Sequence, residues 1–159
     1  MSTIVVGIAE LQIAKSPEII TTIGLGSCVG VTIYDPSAQA GGLVHVLLPS
    51  NNTEKNTNPA KFADTGIPEL IRRLSALGVK RSSMVAKIAG GANMFSAGGK
   101  SNIFMVGQRN VEMCLEILKK ERIRLLANDT GGNYGRTIEL NTANGQLRIK
   151  TIGHGEKIL

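Results

Sequence analysis

A glycine-rich turn, Gly24-Leu25-Gly26-Ser27-Cys28, stands between a β-rich segment at 18–22 and an apolar strand at 29–34. Alternate glycines let the backbone turn tightly and let another molecule approach it closely. A chain with this junction must bring a strand into a sharp turn and leave it on a second strand, with a thiol at the exit. A thiol there can act as a nucleophile, and the backbone N–H groups of Gly26 and Ser27 can converge on an oxyanion beside it. The third need of acyl transfer is a base. The chain has two histidines, His45 and His154, and His45 lies on the next predicted strand, 43–48.

Each residue also has a plainer reading. A lone cysteine beside an apolar strand is commonly a small buried hydrophobe, and a histidine within such a strand is commonly a satisfied core residue. Together, on neighbouring strands with a glycine-rich approach, Cys28 and His45 form a candidate dyad. Strands 29–34 and 43–48 are expected to pair as a hairpin, because consecutive strands usually do. That pairing sets Cys28 near the end of the His45 strand and leaves the register open. A group that orients the imidazole is also expected, and Thr22, Ser27 and Asp129 are the candidates. His154, in Gly153-His154-Gly155, is the poorer base, since nothing in its surroundings fixes it.

The remaining pattern predicts an α+β chain. Short β-like runs fall at 4–9, 10–15, 83–89 and 123–128, and a hairpin at 137–140 and 146–152 turns on Asn144-Gly145. Two helices are predicted. The first spans 61–78, with Ile67, Leu70, Ile71, Leu74 and Leu77 on one face and Gly78 as its stop. The second spans 110–122, with Asn110 as N-cap and Val111, Cys114, Leu115 and Leu118 inward. With 159 residues, a single domain over 1–159 is expected. Aromatics are 3%, so Ile, Val, Leu, Met and Ala must build the core. The segment 90–99 is glycine-rich yet carries adjacent Met94 and Phe95, a pair expected either to pack or to meet a partner.

Net charge is +6, but no basic run exceeds two residues, and the scarcity of aromatics removes stacking platforms; nucleic-acid binding is not expected. Two cysteines and two histidines offer no zinc-type spacing. No apolar run is long enough for membrane insertion and no leader pattern is read, so the cytoplasm, which keeps a thiol reduced, is the expected setting.

Several strings occur in a telling order: Thr22-Ile23-Gly24-Leu25-Gly26-Ser27-Cys28-Val29, Gly42-Leu43-Val44-His45-Val46-Leu47-Leu48-Pro49, Lys61-Phe62-Ala63-Asp64-Thr65, Ala86-Lys87-Ile88-Ala89-Gly90-Gly91-Ala92, Gly107-Gln108-Arg109-Asn110-Val111 and Asp129-Thr130-Gly131-Gly132. This series resembles the CheD family of chemoreceptor glutamine deamidases over nearly the whole chain. Gln108 departs from the pattern, where Ala is expected. The resemblance implies mixed β-sheets packed as a sandwich with flanking helices, like the catalytic domain of cytotoxic necrotising factor. It implies hydrolysis of receptor Gln side chains to Glu and ammonia, with Cys28 as nucleophile, His45 as base and Thr22 as the orienting residue. It also implies two partners, the cytoplasmic helices of chemoreceptors and a CheC-type phosphatase that competes for the same face, where Met94 and Phe95 are candidate contacts. Amide hydrolysis by thiol and imidazole needs no cofactor. The alternative expectation is a non-catalytic module that binds receptor helices or the phosphatase.

Overall fold

The computed structural model describes residues 2–51, 58–94 and 105–159. Among these residues, ten strands form two five-stranded sheets. They are β1 (Thr3–Val5), β2 (Leu11–Lys15), β3 (Ile19–Leu25), β4 (Val29–Asp35), β5 (Ala40–Val46), β6 (Val85–Gly90), β7 (Arg124–Thr130), β8 (Arg136–Asn141), β9 (Leu147–Thr151) and β10 (Gly155–Ile158). The helices are α1 (Ala63–Ala76) and α2 (Val106–Lys120). One sheet runs β1-β3-β8-β9-β10, the other β2-β5-β4-β6-β7. Both are mixed: β1 lies parallel to β3 and β6 parallel to β7, while the other neighbours are antiparallel. The expected sandwich with flanking helices is therefore the observed architecture.

The second sheet is the middle of three layers. Every residue of β4 and of β5 is buried, because both faces are covered and neither strand can alternate apolar with polar. Val29, Val31, Ile33, Val44 and Val46 face the helices with Ile67, Leu70, Leu74 and Leu118. Leu43, Ala89 and Cys28 face the other sheet with Ile20, Leu25, Ile138, Leu140 and Ile149. The site is built in this inter-sheet layer.

The β4–β5 hairpin forms as expected, and its register pairs Val29 with Val46, Gly30 with His45 and Asp35 with Ala40. Helix α1 buries Ile67, Leu70, Ile71 and Leu74; Leu77 is its C-cap and is partly exposed, with Gly78 following at φ +104°. The second helix departs from expectation. It begins at Val106, so Asn110 is an interior residue and not its cap. Its inner face is Gly107, Asn110, Cys114, Ile117 and Leu118, whereas Leu115 points outward. Asn110 resembles a cap in sequence because its amide competes for backbone groups; here it satisfies that tendency across layers. Strand β10 has no counterpart among the expected elements, since all four residues are exposed and carry no alternating pattern.

Candidate functional site

Two sequence-predicted residues, Thr22 and His45, meet where the sheets face each other, and Cys28 stands at the start of the strand that pairs with the His45 strand. Thr22 is on β3 of the first sheet and His45 on β5 of the second, and both are fully buried. Thr22 Oγ1 lies 2.7 Å from His45 Nδ1 and donates to the Val6 carbonyl at 2.6 Å. A threonine hydroxyl has one proton. With that proton on Val6, the oxygen is the acceptor toward the ring, so His45 Nδ1 carries a proton and Nε2 presents its lone pair. Nε2 is buried and has no hydrogen-bond partner among the described residues. The His45 backbone is held as firmly as its ring: its N–H donates to the Glu10 carbonyl and its carbonyl accepts from the Ala9 N–H, both at 3.0 Å.

Cys28 immediately precedes β4, 7% exposed. Cys28 adjoins Val29, the end of the β4–β5 ladder, and Val46, the partner of Val29, adjoins His45. The last ladder pair therefore lies between the two residues, and His45 Nε2 makes no hydrogen bond to the thiol. Burial pushes the Cys28 thiol up from its ordinary value, opposed in part by its own backbone N–H. Burial also pushes His45 down to about 4, with the Glu10 carboxylate acting weakly in the other sense. At neutral pH the resting pair is therefore a thiol and a neutral imidazole, not an ion pair.

The turn carrying Cys28 is pinned by its carbonyls. Gly26 O accepts from Ala92 N and Cys28 O from Gly91 N, each at 2.8 Å. Ser27 O accepts from Asn110 Nδ2 at 2.9 Å. The loop after β6 approaches so closely that a Cβ at Gly90, where φ is +108°, would stand 2.4 Å from Cys28 O. With the carbonyls facing that loop and α2, the amides of Ser27 and Cys28 donate to no other residue's carbonyl among those described. Backbone N–H groups beside a thiol are suited to a developing oxyanion.

The remaining candidates sort by position. Ser27 makes no hydrogen bond to His45; Thr22 does. Asp129 is occupied elsewhere, accepting from Arg136 Nε and Lys157 Nζ, each at 3.1 Å. His154 sits in the β9–β10 turn, stacked on Tyr134 at a centroid distance of 4.0 Å. Met94 is 46% exposed and lies over the turn that carries Cys28, where a Cβ at Gly26 would meet its Cγ at 3.5 Å. Phe95 lies outside the described residues. Among those described, no group of three or more His, Cys, Asp or Glu side chains could hold a metal ion, and no helix is long and apolar enough to cross a membrane. Two contributors were missed in sequence: the Val6 carbonyl, and Asn110, whose one available signal is a polar residue in the stripe Gly107, Asn110, Cys114.

The model of one family, described as CheD chemotactic sensory transduction, matches residues 47–151. Thr22, Cys28 and His45 precede that segment, but full-length relatives extend over them. A protein of Lachnoclostridium phytofermentans is 54% identical over 153 residues, 96% of this chain and 95% of its own. One of Caldanaerobacter subterraneus subsp. tengcongensis is 52% identical over 155 residues, 97% and 96%. One of Syntrophomonas wolfei is 48% identical over 161 residues, the whole of both. Each is named a probable chemoreceptor glutamine deamidase CheD. Among solved structures, Neisseria meningitidis protein NMB0706, assigned to the family DUF152, shares the fold with a TM-score of 0.53 and 11% identity, over 84% of this chain and 65% of its own. By its family match and by relatives of this identity over their full length, the chain belongs to the CheD family of chemotactic sensory transduction.

Proposed function

We propose that this protein is a chemoreceptor glutamine deamidase with Cys28 as nucleophile, His45 as general base and Thr22 as the residue that orients the base. The observation that carries this reading is the relay Val6–Thr22–His45, which leaves Nε2 without a partner among the described residues, on the strand paired with the one that Cys28 enters. The relatives' shared name supplies the substrate.

The resting thiol is neutral, so attack and proton transfer belong to one step. Sulfur bonds to the side-chain carbonyl carbon of a receptor Gln as His45 Nε2 takes the thiol proton. The carbonyl oxygen becomes an oxyanion, held by the amides of Ser27 and Cys28, with Gly26 allowing the approach. The imidazolium keeps its Nδ1–H on Thr22 Oγ1 and gives its Nε2 proton to the leaving nitrogen, so the C–N bond breaks and ammonia departs. Water then adds to the thioester with His45 again as base, and the C–S bond breaks to give Glu and the free thiol.

The same reading assigns the partners: cytoplasmic chemoreceptor helices as substrate, a CheC-type phosphatase as competitor, and the cytoplasm as the place of work. Exposed Met94 above the nucleophile turn supports an apolar contact there. Ammonia release and intact mass of a purified receptor cytoplasmic fragment test the activity. An increase of about one dalton per modified Gln is expected, abolished by Cys28→Ala and by His45→Ala; loss of the nucleophile in comparable triads costs several orders of magnitude. A wild-type protein that binds the fragment and changes no Gln would instead support the non-catalytic module.

A further inference from the structure

The β4–β5 ladder ends at the Val29–Val46 pair. Beyond it the strands part: the Leu47 and Leu48 N–H groups both turn to the Lys61 carbonyl, at 2.9 and 3.1 Å, while the other strand runs back into the Cys28 turn. His45 therefore stands one residue inside the last ladder pair and Cys28 one residue beyond it, so the turn that carries the thiol is not itself fixed by a ladder bond. Among the described residues, one side chain bonds to both strands there. Asn110, fully buried on α2, donates from Nδ2 to Ser27 O at 2.9 Å and to Leu47 O at 3.0 Å. The first carbonyl belongs to the residue before the nucleophile, the second to the residue two after the base.

We propose that Asn110 is a positioning residue that sets the Cys28–His45 separation by clamping the two strands. This inference rests on the reading of those residues as nucleophile and base. Its support lies in what the amide leaves unsatisfied. Both Nδ2 protons serve the clamp, while Oδ1 is buried without a partner among the described residues. A buried acceptor without a donor opposes folding, and Asn110 carries that cost while its two donors satisfy Ser27 O and Leu47 O. The two donors are what an apolar residue cannot supply. Neighbouring close contacts serve the same end: a Cβ at Gly107 would stand 2.3 Å from Ala92 O, and one at Gly91 2.9 Å from Gly107 O. The start of α2 is thereby seated directly against the loop that holds Gly26 and Cys28.

The test uses the full chain and two readouts. Alkylation of Cys28 by iodoacetamide at pH 7, followed by peptide mass, reports the thiol without a receptor; turnover on the receptor fragment reports kcat and KM. Wild type, His45→Ala, Asn110→Ala and the double variant form a cycle. Asn110→Asp keeps the shape but removes both donors. With the clamp lost, kcat is expected to fall about a hundredfold with KM within twofold, in line with the cost of small misplacements. His45→Ala should slow alkylation of the wild type at least tenfold but of the Asn110 variants less than twofold. Wild-type kcat, or undiminished His45 dependence, in a folded Asn110 variant would overturn the proposal. So would loss of cooperative unfolding in both Asn110 variants, which would make the residue a part of the fold alone. A wild type whose alkylation ignores His45 and which deamidates nothing would instead overturn the underlying dyad.

Discussion

Gly30 stands directly opposite His45 across the β4–β5 ladder. Because the His45 N–H and carbonyl are both bonded toward β2, the two form a non-hydrogen-bonded pair, the closer of the two antiparallel kinds. The missing side chain at Gly30 lets the sheets close over the ring. A Cβ there would lie 2.6 Å from Ile138 Cδ1 and 3.2 Å from Leu25 Cδ1.

Gly30→Ala is therefore expected to displace the Ile138 and Leu25 side chains and to strain the Thr22–His45 contact, since Ile138, Leu25 and Thr22 all belong to the first sheet. Overpacking of this kind costs about 1–3 kcal/mol. Urea unfolding should show that loss, and turnover on the receptor fragment should fall as well. Unchanged stability would mean that Ile138 and Leu25 can yield, and that the inter-sheet spacing is not set at Gly30.

Thr22 separates orientation from bulk. Thr22→Val keeps the shape and removes the acceptor, which leaves the Nδ1 proton buried without a partner and frees the ring to take the other tautomer. A fall in kcat of about a hundredfold is expected, within the range for general-base catalysis. Thr22→Ser keeps the hydroxyl and should restore most of it. If Val and Ser variants lose equally, the methyl packing matters and the hydroxyl does not.

Local pattern reveals the parts of this site that sit within one hairpin. Cys28 before one strand and His45 on the next were legible because a glycine-rich turn, an apolar run and a second apolar run follow in order. The register was not, since it depends on how Pro36 to Gln39 close the hairpin. Thr22 stood level with Ser27 and Asp129 on residue type, and only the family pattern separated them. Its contact with His45 joins two sheets, and no periodicity along either strand encodes how sheets stack. The same holds for Asp129, whose tie to buried Arg136 links β7 to β8. Asn110 carries the opposite lesson: a local preference for helix caps is real, but burial on α2 and two backbone acceptors at the hairpin mouth override it.

The buried imidazole predicts how acid acts on the protein. His45 is held down to about 4 by burial, against an ordinary value of about 6.5. Between those values the unfolded chain carries a proton on His45 that the folded chain does not, so unfolding takes up a proton and stability rises with pH. The contribution is fully present above about pH 6.5 and is lost as pH falls toward 4, amounting to on the order of 3 kcal/mol across the window. Denaturation at pH 7.5 and at pH 5 should show the drop for the wild type and a smaller one for His45→Gln, which cannot titrate. Catalysis should follow the folded value: the acid limb of kcat/KM is expected near pH 4, because that limb reports the base in the free enzyme. An acid limb near pH 6.5 would mean that His45 is hydrated or ion-paired in the working protein, and that the neutral resting pair described above is not its ground state.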